Sequence, residues 1–102
     1  MLALFKKLFS KGTDFKGLVQ QGAIIVDVRT PAEYRTGHIA GAQNIPLDNI
    51  KSSVNDLKKK GKPVITVCRS GARSGMAKSI LQAAGIEVYN GGPWNLLQRK
   101  IS

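Results

Sequence analysis

The sequence predicts an α/β domain in which helices cover both faces of a parallel sheet. Three observations carry this. Short apolar runs rich in β-branched residues, at 23–28 (AIIVDV) and 63–67 (PVITV), have the length of buried strands rather than of helices. Segments with helical spacing and clear start and stop signals lie between and after them. The 102 residues fit one domain, and a hydrophobic content of 42% supplies one small core.

Each element has a local reason. Thr13 or Asp14 caps a short helix with Phe15, Leu18 and Val19 on one face, and Gly22 ends it. The run 23–28 follows as a buried strand with an acid near its end. Thr30, Pro31 and Glu33 then match an N-cap, a first helical position and a capping box, and Gly37 stops this helix early. Residues 42–47 (AQNIPL) read as a weak strand, with Pro46 marking its end or an edge position. Ser52 or Ser53 opens a helix carrying Val54 and Leu57. It finishes in Lys58, Lys59 and Lys60, which suit a helix C-terminus and are otherwise a solvated helix end. After the strand at 63–67 comes a helix over 74–84 with Ala77, Ile80, Leu81 and Ala84 on one face. A short strand at 86–89, a turn at 91–93 and a final helical segment at 94–98 complete the chain.

Residues 1–12 form an amphipathic N-terminal segment ahead of a single domain over 13–102. Met1, Leu4, Phe5 and Leu8 share one helical face, with Lys6, Lys7 and Lys11 nearby. Packing on the domain's own core is favoured over membrane contact through residues 1–11, since so short a helix gives little interfacial area. Lys6 and Lys7 interrupt the apolar stretch and no small-residue cleavage site follows. That argues against a secretory signal and for a cytoplasmic protein.

Composition excludes several classes. One cysteine makes no internal disulfide, and one cysteine with one histidine cannot complete a four-ligand zinc site. No residue pattern calls for a metal or a cofactor. No apolar run reaches the roughly 18–20 residues of a membrane span. The net charge of +10 suggests an anionic partner without identifying it. Nucleic acid is disfavoured: aromatics are 6%, and neither a zinc pattern nor a helix-turn-helix signal is present.

In parallel sheets of this kind the binding crevice lies beyond the carboxyl ends of the strands. There the chain reads Cys68-Arg69-Ser70-Gly71-Ala72-Arg73-Ser74, between a buried strand and a helix. Three effects favour a thiolate at Cys68: the helix N-terminus, an arginine (Arg69 or Arg73) approaching the sulfur, and backbone N–H groups converging where Gly71 lets the chain turn. The thiolate is the nucleophilic form of cysteine. A free cysteine is also often an inert buried residue. Two arginines within five residues of a strand end weigh against that here.

Several motifs in order resemble the single-domain rhodaneses, or thiosulfate sulfurtransferases. Val26-Asp27-Val28-Arg29, Glu33-Tyr34 and Gly37-His38-Ile39 look like that family's upstream signature, continued by Gly41-Ala42, Asn44 and Ile45-Pro46. The segment 67–74 is similar to its active-site loop. Ala84-Gly85, residues 88–92 and Trp94 resemble its closing segment. The resemblance covers about residues 13–98. It implies a three-layer domain around a five-stranded parallel sheet, the first strand short or missing, with Leu8 and Phe9 its nearest counterpart. It also implies a persulfide carried on Cys68.

Cysteine phosphatases, some related in fold, have one more residue between cysteine and arginine than the four separating Cys68 from Arg73. The tighter loop suits a sulfur atom better than a phosphoryl group, and it holds no Asp to protonate an alkoxide. The expected reaction is therefore sulfur transfer. The Cys68 thiolate takes the outer sulfur of a small anionic donor such as thiosulfate, sulfite leaves, and a thiol or cyanide removes the sulfur. Arg69, Ser70, Gly71, Ala72, Arg73 and Ser74 form the expected binding loop. Either arginine draws in the donor, or Arg73 braces the loop. Ser70 and Ser74 donate to sulfur, or Ser74 caps the following helix. An alternative uses the same Cys68 as a carrier or regulatory module in a sulfur relay, fed by a partner protein. The remaining alternative is a basic module binding an anionic membrane or nucleic acid. His38 reads as a structural hydrogen-bonding residue rather than a base. Asp27 and Arg29, on one strand face, read as an ion pair or a loop brace near the strand end rather than as substrate contacts. Trp94 reads as closing the core rather than lining the site.

Overall fold

The computed structural model describes residues 12–102, so the expectations for 1–11, including a first strand at Leu8 and Phe9, lie outside the described residues. Helix α1 (Phe15–Gln20) starts at Asp14, whose carboxylate accepts the Gly17 N–H at 3.0 Å. Strand β1 (Ile24–Asp27) runs into Thr30, the N-cap of α2 (Pro31–Arg35). The capping box is complete: Thr30 Oγ1 accepts the Glu33 N–H, and Glu33 Oε1 accepts the Thr30 N–H.

The weak strand expected at 42–47 contracts to β2 (Gln43–Asn44). Ile45 and Leu47 still donate to the carbonyls of Asp27 and Val28, but Pro46 between them has no N–H to give. A 3₁₀ turn (Leu47–Asn49) leads into α3 (Ile50–Lys60), which begins ahead of Ser52 and Ser53. Those two hydroxyls do not cap; they donate back to the Asn49 carbonyl from inside the first turn. Strand β3 (Val64–Cys68) is buried along its whole length. Helix α4 (Ala72–Ala83) starts two residues before Ser74. Strand β4 (Val88–Pro93) continues through the glycines expected to form a turn, and α5 (Trp94–Ile101) closes the chain.

Among the described residues the sheet has four parallel strands in the order β2-β1-β3-β4, in place of the five implied by the resemblance. Side chains alternate across it and build two cores. On one face Val26, Val28, Val64 and Cys68 pack with Ile50 and Leu57 of α3 and Ala77 and Leu81 of α4. On the other, Ile25, Ile65 and Val67 pack with Phe15 of α1 and Leu97 of α5. Each such aliphatic side chain, once fully buried, contributes about 1.5–3 kcal/mol. The three-layer arrangement read from the sequence is thus the one found. No helix among the described residues is long and apolar enough to cross a membrane.

Candidate active site

Strand β3 delivers Cys68 to the carboxyl edge of the sheet, fully buried, on the α3/α4 face. The chain then turns through Gly71, whose φ of +101° lies in the left-handed region. A Cβ there would touch the Gly92 backbone at 3.4 Å, so it is the backbone conformation that calls for glycine. Gly71 is the N-cap of α4, yet it has no side chain with which to cap. The Cys68 sulfur takes that place. It accepts the Gly71 N–H at 3.0 Å and the Ser74 N–H at 3.4 Å, the latter a first-turn donor of the helix. Ser74 is therefore not the cap that its position suggested; its hydroxyl oxygen instead lies 3.4 Å from the sulfur.

Burial alone would raise the thiol pKa. The Ser74 hydroxyl and the backbone N–H groups of Ser74, Gly71 and Ser70 outweigh it, and the pKa falls below the ordinary thiol value. The donors come from the loop itself; the expected arginine contact with sulfur is not what the structure provides.

The two arginines separate instead. Arg73 places Nη1 and Nη2 at 2.8 and 3.0 Å from the two carboxylate oxygens of Glu33, a bidentate bridge from α4 to α2. The pair raises the Arg73 pKa, and the Arg73 and Thr30 hydrogen bonds pull Glu33 down from 4.5 to about 2. Arg69 is exposed and makes no ion pair among the described residues. Ser70 and Ala72 are also exposed, so Arg69, Ser70 and Ala72 form the rim above the buried sulfur.

Glu33 was legible as a capping residue but not as the anchor of Arg73, which is 40 positions away. Its depressed pKa has a consequence with a definite sign. Stability from the ionised pair is present above about 4.5 and is lost as pH falls toward 2. Wild type should therefore be more resistant to urea than Glu33→Gln at pH 7, and the two midpoints should converge across that acid window. A constant gap down to pH 2 would contradict it.

The remaining candidates are structural. His38 Nδ1 lies 2.8 Å from the Tyr34 carbonyl, and its ring stacks on Tyr34 with centroids 3.7 Å apart. Arg29 grips the buried Asp27 through Nε and Nη2 and lies 4.8 Å from the Trp94 ring centroid. Trp94 itself packs against the α5 core. Asn90, noted in the sequence only as part of a closing segment, proves to touch the loop through Ser74 and Gly71.

Comparisons with known proteins agree with this architecture. A family model described as "Rhodanese-like domain" matches residues 12–93. The chain is 44% identical over 69 residues to YqhL of Bacillus subtilis, described as uncharacterized, across 67% of this chain and 54% of that protein. It is 39% identical over 69 residues to thiosulfate sulfurtransferase PspE of Escherichia coli, across 66% of each. A solved structure described as "rhodanese with anions from E. coli" matches with a TM-score of 0.66 at 36% identity, over 72% of this chain and 89% of that one. The chain thus spans only 54% and 66% of the lengths of the two curated relatives.

Proposed function

The chain belongs to the rhodanese-like domain family, and from that membership we propose that it is a sulfurtransferase working through a persulfide on Cys68. The observation that supports this best is the seat of the sulfur. It sits at the mouth of α4, accepting N–H bonds from Gly71 and Ser74. A negative charge there is stabilised whether it resides on the cysteine or on a sulfur added to it.

In the first half-reaction the thiolate attacks the outer sulfur of thiosulfate or a related donor. The donor's S–S bond breaks, its electron pair leaves with sulfite, and Cys68 becomes a persulfide. In the second, cyanide or a thiol attacks the terminal sulfur and the Cys68 thiolate returns. This is double displacement with ping-pong kinetics. No general base is required, consistent with His38 being committed to Tyr34. Arg69, exposed at the rim, draws in the anionic donor, while Arg73 braces the loop through Glu33.

Mass spectrometry of the intact protein after exposure to thiosulfate tests the proposal. The expected result is a gain of one sulfur atom, about 32 Da, on Cys68 that cyanide removes. Wild type that never gains this mass overturns transfer from thiosulfate. Gain only from a protein persulfide would identify the relay carrier instead.

A further inference from the structure

Strand β4 carries an extra residue where it passes the Cys68 loop. Thr66 pairs with Asn90 and Val67 with Gly92, leaving Gly91 as a bulge. Gly91 is pressed onto the α5 core: a Cβ there would stand 2.9 Å from both Ile65 Cγ2 and Val67 Cγ1. The bulge leaves the Asn90 side chain reaching the start of α4. Its Oδ1 accepts the Ser74 hydroxyl at 2.7 Å and the Gly92 N–H at 2.9 Å. Its Nδ2 donates to the Gly71 carbonyl at 3.1 Å. One amide therefore holds Gly71 and Ser74, which give the sulfur N–H groups at 3.0 and 3.4 Å.

The Ser74 hydroxyl has a single hydrogen. Beside a neutral thiol, S–H donates to Ser74 Oγ and the hydroxyl hydrogen goes to Asn90. Beside a thiolate, the sulfur has no hydrogen and can only accept. To donate to it the hydroxyl has to turn from Asn90, leaving Asn90 Oδ1 with the Gly92 N–H alone. We infer that Asn90 is a positioning residue for the nucleophile: it braces Gly71 and Ser74 of the loop facing Cys68, and its Oδ1 competes with the sulfur for the one Ser74 hydrogen. This rests on the reading of Cys68 as the nucleophile. Asn90 is itself uncharged. The charged groups around the site are Arg73 of α4, Glu33 of α2 paired with it, the Asp27–Arg29 pair at the end of β1, and exposed Arg69. At the far end of β4, Glu87 is engaged by Tyr89.

The test is the pH dependence of Cys68 alkylation by iodoacetamide, which reads the thiol without requiring sulfur transfer. Asn90→Asp keeps the shape, holds the Ser74 hydrogen more firmly, and sets an oxygen against the Gly71 carbonyl. The midpoint should rise by about one pH unit, so alkylation at pH values well below the midpoint slows about tenfold while the high-pH limit is unchanged. Added charge alone would also raise it, so the same substitution is made on Ser74→Ala. There the hydroxyl route is gone and the Asn90→Asp shift should be clearly smaller. Equal shifts in both backgrounds, or no shift in either, overturn the inference. Should Ser74→Ala fail to fold, the Asn90→Asp shift is read at low and high salt instead: an added-charge effect at exposed Asn90 fades with salt, whereas the hydroxyl route keeps its shift, and a shift that vanishes overturns the inference. A protein that alkylates as expected yet gains no sulfur from thiosulfate would overturn transfer from thiosulfate and leave the role of Asn90 standing.

Discussion

Cys68→Ser should yield a folded protein with no sulfur transfer. A serine hydroxyl occupies nearly the same place and can accept the Gly71 N–H that now meets the sulfur at 3.0 Å. The turn and the start of α4 therefore keep an acceptor, and stability should stay within about 1 kcal/mol of wild type. The chemistry does not survive. An aliphatic hydroxyl holds its proton far more tightly than this thiol, whose pKa is lowered, and oxygen does not form the persulfide through which the sulfur passes. Thiocyanate production from thiosulfate and cyanide should drop to the uncatalysed rate, and the mass gain should vanish. A folded Cys68→Ser protein retaining wild-type turnover would end the proposed mechanism.

Arg29→Ala should be the most damaging substitution for the fold. Asp27 is fully buried, and Arg29 meets it through Nε at 2.9 Å, Nη2 at 2.7 Å and its own backbone N–H at 3.1 Å. The same guanidinium donates to the Glu33 carbonyl at 3.2 Å and the Gly37 carbonyl at 2.7 Å. Removing it strands a buried carboxylate with one backbone donor and takes a partner from both carbonyls. Breaking such a pair from one side costs about 3–5 kcal/mol, a large part of the roughly 5–15 kcal/mol that holds a domain together. The melting temperature should fall by about 15 °C or more. Changing both members together, Arg29→Met with Asp27→Leu, should recover part of the loss, because no charge is then left unpaired. Denaturation of the three variants decides it. A single Arg29→Ala within about 1 kcal/mol of wild type would show that the pair is not what holds β1 to α2.

How much of this was legible depended on how far apart the cooperating residues lie. Asp27 ends β1 and Arg29 lies two residues on, close enough for alternation from the strand to suggest one side, so a pairing was legible there. Cys68 was legible because a buried run, a glycine and a helix bracket it in sequence. The bridge from Glu33 to Arg73 was not, since no local pattern joins residues 40 apart. Ser74 was misjudged as a possible cap because its hydroxyl suits one. The helix starts at Ala72 instead, which puts Ser74 inside the first turn. Asn90 escaped notice because its reach depends on a bulge, and Gly91-Gly92 reads equally well as a turn. In the sheet, what sequence pattern missed was set by pairing rather than by propensity. The short edge strand β2 and the extended β4 both take their limits from a neighbour.

The helix that follows Cys68 is finished at its first turn by a reactive atom rather than by an inert side chain. Whatever takes the negative charge from that sulfur also weakens the acceptor of the Ser74 N–H, because a thioether or oxidised sulfur accepts less strongly than a thiolate. An alkylating or oxidising agent therefore does two things in one event, silencing the chemistry and loosening the helix end. Amide exchange at Gly71 and Ser74 becomes a direct gauge of which chemical form the cysteine holds. Damage at this one atom would register as local fraying of the polypeptide, visible to a protease before any loss of the global fold.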